Sequence, residues 1–460
     1  MITHSSLRFI DLFAGMGGFR LGFENSCRNM GITPSCILSS EIKSHAITVY
    51  QDNFKGASLV GDITQINAKD IPDFDVLLAG FPCQAFSNAG KRQGFLDTRG
   101  TLFFEIERIL QEKRPSIFIL ENVEGLVTHD KDSPTEKMGK TLRIILEKLN
   151  QLNYFVNWQV FDAKNFGLAQ SRKRIFIVGS TTEFINLDNF PIRQTRLKTV
   201  LEQGKAVMNN RLSQLLLEHF PLHKLHGKSV KDKRGGIDNI HSWDIELKGR
   251  VSQDQRDLLE AILLARRNKK WAISKGIAWM DGMPLTCSEI ETFFQHPNLD
   301  ELLQDLACKN YLKFEHPKDL VEVVEDGKTK LVRKYREDLE KGYNIVAGKL
   351  SYEINKILDP EDIAPTLTAT DLDRVVVPDT TGIRKLTLVE QCRLFGFPDN
   401  FQLNISERLA HDLFGNTVPV SVVTAVATRA IEQLLFKRVF PVKKSPIVED
   451  KTPLQYSFLD

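Results

Sequence analysis

The chain has 460 residues, with 61 Lys and Arg against 59 Asp and Glu, and a net charge of +2. That length allows two or three domains and at least one sizeable core, while the near-neutral balance confines any surface for a polyanion to a local patch. Six scattered cysteines without a C-x-x-C pair argue against a disulfide framework and a structural zinc site, and no apolar run approaches the roughly 20 residues of a membrane span. The N-terminal MITHSSLRFIDLFAG lacks the basic and long apolar regions of a signal peptide. A reducing, cytoplasmic setting is therefore expected.

From the start to about residue 180, short apolar strands alternate with helices. The predicted strands are Arg8–Phe13, Cys36–Ser40, Asp75–Ala79, Ser116–Leu120 and Arg174–Val178. Between them, Thr101–Lys113 and Lys140–Asn150 carry apolar residues at three- and four-residue spacing, the mark of a helix face. Such alternation predicts an α/β fold with a mainly parallel, doubly wound sheet, which binds ligands outside the carboxyl ends of its strands. The pattern breaks after about Asn189, is irregular to about Pro360, and passes through APTLTATDLDRVVVP before a helix over Ser421–Leu435. We divide the chain accordingly at 1–189, 190–400 and 401–460.

In FIDLFAGMGGFRLGFE, Gly15, Gly17 and Gly18 lie between a strand and a helix. Glycines there let the backbone approach a ligand, and the helix start offers free N–H groups. The spacing is not G-x-G-x-x-G, which disfavours a dinucleotide fold. Glu41 follows the second strand, where a carboxylate can hold ribose hydroxyls, and Asp62 in GDIT can accept from an adenine amine. Taken singly, either acid reads equally well as a helix cap. Together with the glycines they point to an adenosyl cofactor.

AGFPCQAFSNAG is the most informative stretch. Cys83 follows a strand, Pro82 fixes the backbone before it, and the polar, glycine-flanked setting suits a reactive thiol better than a core cysteine. The loop through Lys91, Arg92 and Gly94 is positively charged and fit to close over a bound strand. Glu121 and Asn122 end the next strand in PSIFILENV, where a carboxyl pushed into a pocket could donate a proton to a ring nitrogen. In QSRKRIFIV, Arg172 and Arg174 stand two apart on an extended segment and so share a direction. Two guanidiniums can hold a carbonyl oxygen or a phosphate, or form only a salt-bridged strand edge.

In order, FIDLFAGMGG, Glu41, GDIT, GFPCQAFS, RGTLFFE, ENV, QSRKR, IRKLTLVEQCRLFGFP and GNTVP resemble the successive motifs of DNA cytosine-5 methyltransferases. The match covers roughly residues 8–180 and 383–420. The resemblance implies a Rossmann-like sheet of the S-adenosylmethionine-dependent type with an inserted, smaller target-recognition domain. It implies that Cys83 adds to C6 of a flipped cytosine, Glu121 meets N3 and the exocyclic amine, and Arg172, beside Arg174, steadies the ring carbonyl. It also implies a cofactor site of Phe13, Gly15, Gly17, Glu41, Asp62, Pro82, Leu102, Asn416 and Val418, with GNTVP folding back beside the first strand.

The implied partner is double-stranded DNA, met by a monomer working alongside a cognate restriction endonuclease without a stable complex. Two basic clusters in the insert, Lys224, Lys228, Lys231, Lys233 and Arg234, then Arg266, Arg267, Lys269 and Lys270, read as phosphate contacts or as solvated faces. Gly235 and Gly236 favour the first. Two other functions compete: a tRNA cytosine-5 methyltransferase, disfavoured by the long insert, and a catalytically silent DNA-binding module, disfavoured by intact Cys83, Glu121 and Arg172.

Overall fold

Seven strands form the main sheet of the computed structural model, which describes residues 6–81, 102–278, 282–346 and 352–436 apart from 132, 134, 326 and 327. They are β1 (Ser6–Leu12), β2 (Thr33–Ser40), β3 (Leu59–Val60), β4 (Val76–Gly80), β5 (Ile117–Val123), β6 (Phe155–Asp162) and β7 (Lys173–Ser180). Their order is β3-β2-β1-β4-β5-β7-β6. β1 to β5 pair in parallel, whereas β7 runs against both β5 and β6.

Side chains alternate across the pleat, so each central strand feeds two cores. Leu77 and Ala79 of β4 join Phe118 and Leu120 of β5 under Phe103, Ile106 and Leu110 of helix Leu102–Lys113 and Leu142 and Ile145 of helix Lys140–Gln151. Val76 and Leu78 face the other way, with Phe9, Ile117 and Ile119, under Phe19 and Phe23 of a helix at Gly18–Asn29 and Val422, Val423 and Val426 of helix Val420–Phe436. Burial on both faces explains why these strands read as unbroken apolar runs. The apolar stretch Glu407–Leu435 has the length and hydropathy of a membrane span, but its valines are core residues of this sheet.

The C-terminal helix packs closely on Gly18–Asn29 because Gly22 has no side chain: a Cβ there would lie 2.7 Å from Val423 Cβ. Ser26 Oγ and Thr428 Oγ1 share a hydrogen bond of 3.0 Å across the same contact. All five predicted strands are present within a few residues of their expected ends, and the helices of 102–113 and 140–151 match their periodicity. Two strands were not anticipated. β3 has two residues, and β6 is an edge strand whose half-buried FVNWQVFD interrupts its apolar positions with Asn157 and Gln159.

The chain divides into two compact units, residues 1–195 with 392–460, and residues 196–391. The second has cores of its own. One surrounds Trp243, Leu259, Ile262, Leu303 and Leu312. The other surrounds Leu216, Val230, Ile240, Ile357 and Val376, beside a five-stranded sheet of short strands. There Arg384 is buried between Asp379 at 2.6 Å and Glu390 at 2.7 Å, a pairing that offsets the cost of desolvating three charges.

Candidate active site

The sheet of the first unit ends in a cavity of about 370 Å³, within the size range of small-molecule sites. Phe13, Gly15, Glu41, Asp62, Leu102, Glu121, Arg174, Asn416 and Val418 all line it. The loop after β1 turns sharply: Phe13 adopts φ 56° and Gly15 φ 55°, a left-handed geometry that is uncommon for phenylalanine. Glu41 holds that turn. One carboxylate oxygen accepts the Gly15 N–H at 2.8 Å, and the other accepts from Ile42 and Lys43 at 2.8 Å each. The carboxylate thereby ties the glycine loop to the start of a helix at Ser44–Asn53.

Asp62 serves as a cap and also stands at the cavity. Its Oδ1 caps a short turn through the Thr64 N–H at 2.9 Å, and the residue still lines the cavity. A carboxylate has about four acceptor positions, so one cap does not exhaust it. Asn416 donates to the Asp412 carbonyl at 2.7 Å and to its Oδ1 at 3.1 Å. Asp412 accepts in turn from Lys43 at 2.8 Å and His45 at 3.0 Å. Burial pushes the Asp412 carboxyl up, but those two bonds outweigh it and hold it below its ordinary value.

Gly17 is not part of the cavity wall. It caps the helix at Gly18–Asn29 with φ 89°, and a Cβ there would collide with the Phe54 ring. Its glycine serves the turn and the packing behind it.

At the far end of the cavity, Glu121 is 7% exposed and pairs with Arg174 Nε at 2.9 Å. Burial pushes its carboxyl above the ordinary carboxylate range, against the pull of Arg174 and Arg172. The parallel register places Glu121 beside Gly80, and Asn122 Nδ2 donates to the Phe81 carbonyl at 3.2 Å. Both contacts fix the backbone immediately ahead of Pro82 and Cys83. Those two residues, with Lys91, Arg92 and Gly94, lie outside the described residues.

The two arginines part company. Arg172 is 1% exposed; its Nη2 donates to the carbonyls of Gly415 at 2.8 Å and Thr417 at 2.9 Å, and its guanidinium lies 5.2 Å from the Phe395 ring centre. It fastens GNTVP to the sheet. Arg174, on β7, is the guanidinium that reaches the cavity. Of the two arginines expected at a ring carbonyl, Arg174 is the one that lines the cavity.

Asp11 was not anticipated. It is fully buried beneath the glycine loop, within 3.5 Å of the Tyr50 hydroxyl. Tyr50 also bonds Ser39 at 2.6 Å and accepts from Arg20 at 3.3 Å. Burial raises the Asp11 carboxyl to about 7. The acid stands in plain view in FIDLFAG, but nothing local distinguishes it from a solvated strand residue.

A mainly parallel sheet in this order, with acids at successive strand ends around an apolar-walled cavity, is the fold of S-adenosylmethionine-dependent methyltransferases, and S-adenosylmethionine is the cofactor. Residues 7–432 match the family of C-5 cytosine-specific DNA methylases, and the chain belongs to that family as a DNA (cytosine-5-)-methyltransferase. It is 52% identical over 430 residues to the Type II methyltransferase M.NlaIV of Neisseria lactamica, covering 93% of this chain and 99% of that one. It is 41% identical over 449 residues to the Type II methyltransferase M.HgiCI of Herpetosiphon aurantiacus, covering 91% and 96%. A solved prophage-encoded protein of E. coli, described as a DNA modification methyltransferase, shares the fold at a TM-score of 0.51 and 20% identity, covering 93% of this chain and 99% of that one.

Proposed function

We propose that this enzyme methylates one cytosine within a short duplex DNA sequence through a transient bond from Cys83 to C6 of a base drawn out of the stack. We further propose that it is the protective methyltransferase of a restriction–modification system, as the names of its Type II relatives suggest. It acts as a monomer, without a stable complex with an endonuclease. The observation that carries the reading is Glu121: a carboxyl pushed up by burial, held by Arg174, in the same cavity as Glu41, Asp62 and Asn416.

In this reading Phe13 lies against the adenine, Glu41 accepts from the ribose hydroxyls and Asp62 from the adenine amine. Pro82, Leu102, Asn416 and Val418 complete the cofactor wall, with the Gly15 turn beside them. When bound, S-adenosylmethionine supplies the sulfonium methyl that the activated C5 takes up.

The residues of the chain prepare that carbon. Cytosine C5 is a weak nucleophile. A thiolate at Cys83 forms a bond to C6 while the Glu121 carboxyl gives its proton to N3, so the ring electrons gather at C5. Burial raises the Glu121 carboxyl, which favours its protonated form and suits it to that donation. Arg174 keeps Glu121 oriented and presents further N–H groups to the ring carbonyl, where negative charge grows. After methylation C5 loses its proton to solvent, its electrons restore the C5–C6 double bond as the C6–S bond breaks, Cys83 leaves as thiolate, and the N3 proton returns to the Glu121 carboxylate. The target atoms are hidden in a duplex, so the base must leave the stack to meet these groups.

Duplex DNA carrying 5-fluorocytosine at the target tests the scheme, because C5 then has no removable proton. The wild type should accumulate a stable adduct on Cys83, with no adduct on tRNA. Cys83→Ala should lose turnover and adduct but keep cofactor binding. An adduct mapped to Cys287 or another thiol would overturn the assignment.

A further inference from the structure

In the unit of residues 196–391, strands Ser229–Val230 and Asn239–Ile240 pair in parallel, with a hydrogen-bonded loop between them. Asn239 Nδ2 donates to the carbonyls of Arg234 at 2.9 Å and Gly235 at 2.7 Å. Lys228 Nζ donates to the carbonyl of Ile237 at 2.6 Å and pairs with Asp238 at 3.3 Å. Gly236 takes φ 136°, which places Ile237 at the tip. Ile237 is 91% exposed, the most of any large hydrophobic residue among those described. Leu264, itself exposed, lies beside the loop at Gly235, so that a methyl there would be 3.8 Å away.

Three cations crowd the same loop. Strand Lys356–Ile357 pairs Lys356 opposite Ser229, and the Lys231 ammonium is lowered by partial burial first and then by Lys356 and Arg234. Like charges held close, beside an aliphatic tip, complement a polyanion that also offers apolar contact. The second basic cluster is different. Arg266 is buried against Asn344 Oδ1 at 2.6 Å, and Lys270 lies 4.0 Å over the Trp271 ring.

We propose that the loop of residues 231–238 enters a groove of duplex DNA, with Ile237 against a base edge and Lys231, Arg234 and Lys356 on the flanking phosphates. This rests on the reading of the chain as a duplex-DNA enzyme. The cations position the loop without reading sequence, and the apolar tip discriminates between bases, for instance by a thymine methyl. Because its own side chains already fix the backbone, little ordering is lost on binding.

The test uses the full-length enzyme and duplexes with and without the methylated site, over a range of salt. Lys231→Ala and Arg234→Ala should weaken both duplexes alike, each lowering the slope of log affinity against log salt by about 1. Ile237→Ala and Ile237→Thr should keep that slope but reduce the preference for the site by about 10-fold, with unchanged cofactor binding and melting temperature. Unchanged slope and preference in all four variants would overturn the loop assignment while the wild type still methylates duplex DNA. So would Ile237→Ala dissolving a dimer and leaving DNA binding intact. A wild type that methylates no duplex DNA would bring down the parent reading, and this one with it.

Discussion

Arg172 and Arg174 belong to one short sequence, QSRKR, yet contact different parts of the unit. Arg172 reaches both carbonyls through Nη2 while its planar guanidinium lies over the Phe395 ring, a geometry that a lysine ammonium does not reproduce. Arg172→Lys should therefore cost about 1–3 kcal/mol of stability, read as a lower melting temperature. Arg174→Lys should melt close to the wild type but lose about 100-fold in kcat, because it disturbs Glu121. The opposite pattern would exchange the two roles. The spacing in sequence showed that these arginines mattered together. It could not show which carbonyls each would meet, since Gly415 and Thr417 lie in a distant part of the chain. Asp11 was hidden for a related reason: its burial is a property of the assembled sheet. Its carboxyl titrates near 7 in the fold and near 4 when unfolded. The folded state then binds the extra proton, so stability falls as pH rises between those values and is level outside them. At about 1.4 kcal/mol per pH unit the full window is worth roughly 4 kcal/mol. Asp11→Asn should melt higher than the wild type at pH 8, and the gap should close below pH 4.

Among the elements, those buried on both faces were the easiest to read. Val76–Ala79 and Ile117–Leu120 are continuous apolar runs, and continuous runs of that length between helices fit a parallel sheet. β6 sits at an edge and β3 is held by two residues, so neither needed a pattern strong enough to stand out. The family resemblance implied that the C-terminal segment folds back beside the first strand; the contact of helix Gly18–Asn29 with helix Val420–Phe436 was not read, and its physical basis is Gly22. Gly22→Val would drive a branched side chain into Val423. We expect about 1–3 kcal/mol of destabilisation and a several-fold rise in the cofactor KM, because Thr417 and Val418 precede the displaced helix and line the cavity. Melting and initial-rate measurements read the two effects separately. A loss of stability with an unchanged KM would show that the helix packing and the cavity wall are independent.

Residues 1–195 share a unit with 392–460, so the cover of one face of the catalytic sheet, whose strands end at Ser180, is completed only by the helix Val420–Phe436. Residues 196–391 have two hydrophobic cores of their own. A stretch that buries its own apolar surface can vary its loops without disturbing the strand ends that carry Glu41, Asp62 and Glu121. Its sequence showed the change of character and the basic clusters, but not which cations were committed to internal partners, such as Arg266, whose partner Asn344 is far away in the chain. If target choice resides in 196–391 and chemistry in the remainder, the two should exchange independently. Replacing 196–391 by the corresponding stretch of a family member with a different target should yield an enzyme that methylates the donor's sequence. Bisulfite sequencing of plasmid DNA from cells expressing the chimera would report the target, and 5-fluorocytosine duplexes would report the thiol. The expected result is the donor's target with the adduct still on Cys83. A folded, active chimera that kept the recipient's target would place recognition in the catalytic unit.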